Sequence, residues 1–131
     1  MNRFNALVVS LAILASGYVQ AQDSAKAPSP AQELIAYAAA DFKMSGDAPN
    51  RFRHVRLGRL AAEDGTHRMV LCGDFLSSGT KPRWTPFATI KTSPYEQWLG
   101  GHAKSFCSAP GFKPQSKQDF SADLKRQIDA P

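Results

Sequence analysis

Two runs with strand character, "RFRHVRLGRL" (51–60) and "HRMVLCGDFL" (67–76), flank the polar stretch "AAEDGT" in the middle of the chain. Asp64-Gly65 is a dipeptide favoured in tight hairpin turns, whose central residues need positive φ. The pattern predicts an antiparallel hairpin. A two-residue turn at Asp64-Gly65 sets Leu57 opposite Cys72, Arg59 opposite Val70 and His54 opposite Phe75. Val55, Leu57, Val70, Cys72 and Leu76 then share one face, and Phe52, Leu60, Met69, Leu71 and Phe75 the other. This register divides the arginines of the first run. Arg53 and Arg59 fall on the first face and Arg56 on the second, with Arg51 at the strand's start. Asp74 lies diagonally from Arg53, within reach of a cross-strand ion pair. A helix would spread the same arginines over more than half its circumference, so neither geometry gives a one-sided basic stripe.

Around the hairpin, "SPAQ" opens a helix. Ser29 is placed to cap, Pro30 suits the first turn, and Gln32 stands where a capping box needs its partner. Leu34, Ile35, Ala38, Ala39 and Phe42 recur at helical spacing, and Gly46 fits a C-cap, giving a helix over about 30–44. Residues 77–84 read as a loop. In "PFATIKT" Phe87, Thr89 and Lys91 alternate with Ala88 and Ile90, a third strand that starts after Pro86 or lies at an edge. Ser93, Pro94 and Glu96 repeat the helix-start signal, with Tyr95, Trp98, Leu99, His102, Ala103 and Phe106 on one broad face. Gly100-Gly101 costs such a helix about 1 kcal/mol per residue. It therefore ends a short helix or marks a close backbone approach. Trp98 and Phe87 are expected in the core. "SAPGFKPQS" reads as a loop, and Phe120, Leu124 and Ile128 as the stripe of a short amphipathic helix. The fold expected is α+β: an N-terminal helix, a small antiparallel sheet of about three strands, and one or two C-terminal helices packed on one face.

The amino terminus sets the expected compartment. Arg3 precedes an apolar run from Ala6 to Ala15, and Val19-Gln20-Ala21 fits a cleavage site, so 1–21 reads as a signal peptide. The run is shorter than the ~20 residues that span a bilayer core. An uncut membrane anchor is the alternative. Residues 22–28 form a flexible leader and 29–131 one globular domain. An exported protein, periplasmic or secreted, follows. The chain has 16 Lys and Arg against 11 Asp and Glu, a net charge of +5, and loses only Arg3 on cleavage. That excess favours anionic partners. Outside the cytoplasm these are acidic proteins, cell-wall polymers and lipid phosphates, and not nucleic acid. In an oxidising compartment Cys72 and Cys107 are expected to form a disulfide, stabilising by about 4 kcal/mol in the chain-entropy account.

Little in the sequence proposes catalysis. His54, His67 and His102 show no helical metal spacing, and no Cys or His pair has zinc-ligand spacing. The chain carries no nucleophile elbow, phosphate-cradling glycine loop or dinucleotide fingerprint, so no metal and no cofactor is expected. Its carboxylates suggest no facing pair. Aromatic and basic residues are more suggestive, since Trp and Arg dominate binding hot spots. Arg51, Arg56, Lys81, Arg83 and Trp84 are the candidate binding residues, with Trp84 either rim or core. The reading that follows is a binding domain for an envelope protein or an anionic cell-wall or lipid component. A small hydrolase assembled from non-local residues is the alternative. It requires a histidine that meets a carboxylate and a Ser or Cys. An accessory domain without a ligand is a third reading.

The succession "FRHVR", "LCGDF" and "PFATIKT" resembles a loose group of small exported proteobacterial proteins of unknown function. The pattern is F-R-x-V, then C-G, then a strand carrying Phe, here Phe52, Arg53, Val55, Cys72, Gly73 and Phe87. After Cys-Gly the group continues with an Asn- and Gly-rich stretch, where this chain has "DFLSSGTKPRW". The resemblance implies an exported helix-plus-sheet domain and brings no activity.

Overall fold

A computed structural model describes residues 26–131. The expected signal segment 1–21 and the first four leader residues lie outside them. The first helix forms where its cap is written. The Ser29 amide donates to Gln32 Oε1 (2.8 Å) and the Gln32 amide to Ser29 Oγ (3.2 Å), closing a capping box. Helix α1 runs Pro30–Met44 and buries Leu34, Ile35, Ala38, Ala39 and Phe42, its one apolar stripe.

The hairpin is strands β1 (Phe52–Ala61) and β2 (His67–Leu76). Its loop has three central residues. The Ala62 amide donates to Thr66 O (2.9 Å) and the Gly65 amide to Ala62 O (3.1 Å), while Asp64 Oδ1 accepts from the Thr66 amide and hydroxyl. Within this loop only Gly65 needs a positive φ, 82°. The longer loop moves the register by one residue from that expected. Leu57 stands opposite Leu71 and Arg59 opposite Met69, and an irregularity between Arg53 and Arg56 adds a second residue, so that Phe75 stands opposite Phe52. A one-residue slip reverses faces, so Val55 and Leu57 join Phe52, Met69, Leu71 and Phe75, while Leu60 joins Val70 and Cys72.

The sheet is antiparallel with five strands, not about three, in the order β4-β3-β2-β1-β5. Strand β3 (Trp84–Ile90) lies inside it and runs through Pro86. That is possible because Pro86 uses only its carbonyl in the ladder, accepting from Gly100 N at 2.8 Å, where β4 ends. Instead of one helix after Ser93, the chain forms strand β4 (Glu96–Leu99) and a short helix α2 (Gly101–Cys107). Gly100, at φ 75° and ψ −140°, separates the two in a conformation outside the helical region. The segment gains a hydrogen-bonded partner in β3 that an isolated one-turn helix would lack. Trp98 consequently sits at the rim, 36% exposed, against His102 and Phe106. The loop expected at 108–116 contains a short strand, β5 (Phe112–Pro114), on the far edge of β1. Helix α3 is Ser121–Asp129, with Phe120 and Leu124 buried.

The helices occupy both faces of the sheet. On one, α1 and α3 cover a core in which the Phe42 ring meets Phe52, Phe75 and Phe87 edge-on. On the other, α2 covers a smaller cluster of Val70, Cys72, Ala88, Ile90 and Ala103. Cys72 and Cys107 form the expected disulfide (Cα–Cα 5.9 Å), which fastens the end of α2 to β2. Among the described residues no helix is long and apolar enough to cross a membrane.

Candidate functional site

The arginine stretch is not a regular strand. Arg53 pairs with Asp74 and Arg56 with Cys72, so β1 holds one more residue than β2 between those rungs. His54 takes up the excess in a left-handed conformation, φ 55°. Such a bulge re-aims the side chains that follow it. Phe52 and Val55 thereby both enter the α1/α3 core, and Arg53 and Arg56, expected on opposite faces, both emerge on the α2 face. Gly73 makes this possible, because a Cβ there would lie 2.8 Å from Val55 Cγ2 and 2.9 Å from the Phe87 ring. Segment 119–121 holds the bulge from outside: the Phe120 amide donates to Val55 O (2.7 Å) and the Val55 amide to Ser121 Oγ (3.3 Å).

On the α2 face the ends of β1, β2 and β3 are left open beyond the disulfide. Arg53 Nε lies 3.1 Å from Asp74 Oδ2, the expected ion pair made directly across the strands. Its guanidinium also lies over the half-buried Trp84 ring, 4.2 Å from the centroid, with that of Arg51 at 5.6 Å. Half-exposed cation–π contacts of this kind contribute about 0.5–1 kcal/mol each. Arg56 rests on the Phe112 ring at 5.1 Å. Phe112 in turn lies so close across Gly58 that a Cβ there would meet it at 2.3 Å. Of the candidates, Arg51, Arg56 and Trp84 thus share this face, and Trp84 is neither free rim nor core. Lys81 and Arg83 stand exposed in the loop between β2 and β3, where the Ser77 amide donates to Arg83 O. Among the described residues neither of those side chains has a hydrogen-bond or ion-pair partner.

Between the open strand ends and α2 is a hollow of about 250 Å³, lined by His54, Arg56, Asp74, Lys104 and Ser108 beside the disulfide. A second, of about 420 Å³, lies over the outer edge of β1 and shares His54 and Arg56 with the first. His54, Lys104 and Lys117 had no signal in the sequence as site residues. Gly73, a glycine inside a strand pattern, was the available sign of the bulge. His54 Nδ1 lies 3.5 Å from Asp74 Oδ2. Both sulfurs are in the disulfide, and among the described residues no serine hydroxyl bonds to His54. No group of three or more His, Cys, Asp or Glu residues is placed to hold a metal ion among the described residues.

These features define a disulfide-clamped α+β domain with one apolar, helix-covered face and one partly open basic face. Comparison with protein-family models, with curated proteins and with solved structures gives no significant match. The motif residues nevertheless have a local physical account. In F-R-x-V the unspecified position is the bulged His54, and in C-G the cysteine is clamped to α2 while the glycine admits the bulge.

Proposed function

We propose that this chain is an exported binding domain, freed by cleavage after Ala21, that engages an anionic component of the cell envelope through its α2 face. The observation that supports this most is the bulge at His54, which brings Arg53 and Arg56 to one side, next to Arg51 and Trp84. A regular strand would have divided them. Lys81 and Arg83, in the neighbouring loop, extend the same positive field toward an approaching partner. The contribution is electrostatic and falls with salt, because exposed pairs are screened beyond about 10 Å at 0.1 M ionic strength.

The test is retention of oxidised protein spanning 22–131 on envelope material. The Arg51→Glu/Arg56→Glu double variant is expected to elute at much lower salt than the unaltered protein while remaining folded, its melting temperature lowered only by the loss of the two cation–π contacts. Equal retention of the two would remove the reading. The hydrolase alternative draws on the approach of His54 to Asp74 beside Ser108. It requires a hydrolytic turnover on envelope material that disappears in Ser108→Ala, and the absence of any turnover would remove it.

A further inference from the structure

The two hollows meet at a saddle made by His54 and Arg56, and each has a lysine of its own, Lys104 in the first and Lys117 in the second. A single small anion would need only one of them. Two hollows joined over one guanidinium suit anionic groups that follow one another along a chain, with Arg56 facing both.

The other lining groups narrow the chemistry. Each hollow contains a carboxylate, Asp74 in the first and Asp119 in the second. Each also contains neutral hydrogen-bonding side chains, Ser108 in one and Ser116 and Gln118 in the other. A dense polyanion such as a polyphosphate has charge at every unit and no donor to offer, so both aspartates repel it. A polysaccharide of acidic sugars presents carboxylates to the arginine and lysines, and hydroxyl donors to the aspartates. Asp119 is fit for that acceptor role. Partial burial pushes its pKa up, but hydrogen bonds from the Ser121 hydroxyl and amide outweigh this and hold it below the usual range.

We infer that the two hollows form one trough for a linear acidic polysaccharide, with successive uronate-type carboxylates at Lys104 and Lys117 and their hydroxyls at Asp74 and Asp119. This rests on the anion-binding reading above and gives it a ligand class. The probes are galacturonate, defined-length oligogalacturonate and inorganic polyphosphate, titrated at low salt against oxidised protein spanning 22–131.

The oligomer is expected to bind at least about tenfold more tightly than the monomer, because the second site is filled at high effective concentration. Lys104→Ala and Lys117→Ala should each weaken it by about two- to fivefold, the range of an exposed ion pair. The two losses should multiply in the double variant, and Arg56→Ala should weaken binding more than either lysine change. Asp119→Asn should strengthen polyphosphate binding without strengthening that of oligogalacturonate. Polyphosphate binding as tight as oligogalacturonate, or no effect of Lys117→Ala, would overturn the polysaccharide trough and leave the anion-binding reading standing. Failure of both polyanions to bind would remove that reading as well.

Discussion

His54 holds a left-handed backbone that a β-strand does not ask for, and residues other than glycine adopt it at a cost of about 1–2 kcal/mol. It persists because Gly73 leaves room on one side and Ser121 and Phe120 bond to Val55 on the other. His54→Gly should therefore be at least as stable as the unaltered protein, and His54→Val less stable by about 1–2 kcal/mol, since β-branching resists this conformation. Urea midpoints measure both, and equal midpoints would show that the bulge carries no strain. At Gly73 the expectation reverses. Val55 and Phe87 are fully buried and cannot withdraw from an added methyl, so Gly73→Ala should cost about 1–3 kcal/mol and lower the midpoint. The expectation fails if the midpoint stays where it is. Both residues also show why the site was hard to read in advance. Alternation along β1 predicts faces only if every residue occupies one rung, and His54 occupies none.

At the scale of elements, α1 and α2 are held in different ways. Helix α1 has a complete capping box and six buried residues, whereas α2 has no side-chain cap and buries only Ala103. The disulfide supplies the attachment that packing does not. Reduction, or the Cys72→Ala/Cys107→Ala double variant, should cost roughly 2–4 kcal/mol and release α2 first. Amide exchange would show α2 losing protection while α1 and α3 keep theirs, and uniform loss would argue against a separately tethered element. This asymmetry follows what the sequence revealed. Helix α1 was legible because its cap and stripe are local, α3 because its stripe is, and Cys72–Cys107 because the chain has no other cysteines. Strand β4 was not, since Ser93, Pro94 and Glu96 form a plausible helix start that only the free edge of β3 overrides. Strand β5 has three residues, and its place depends on Phe112 crossing Gly58.

Across the whole molecule, most of the apolar packing lies on the α1/α3 side, which leaves the α2 side free to stay thin and charged. Two carboxylates stand among the polar groups of the helical layer. Glu33 on α1 accepts from Lys91 and from the Tyr95 hydroxyl, which together hold its pKa below the ordinary value. Asp119, at the approach to α3, is likewise lowered. A carboxyl with a depressed folded-state pKa stabilises fully above its unfolded value, about pH 4, and loses that contribution as pH falls through the folded one. Lys91 is raised by Glu33, so its contribution is complete below its unfolded value, about pH 10.4, and fades only above it. The denaturation midpoint should therefore be level between about pH 5 and 9 and fall below about pH 4. Glu33→Gln/Asp119→Asn should be less stable than the unaltered protein at pH 7, with the gap closing as pH falls through the lowered folded-state pKa values and the native carboxylates protonate. A gap that stays constant with pH would mean that the two carboxylates act as packing groups rather than as charges. Because Asp119 also lines the trough, the same titration bears on binding. Ligand retention should persist through mild acid, since this acceptor remains ionised there.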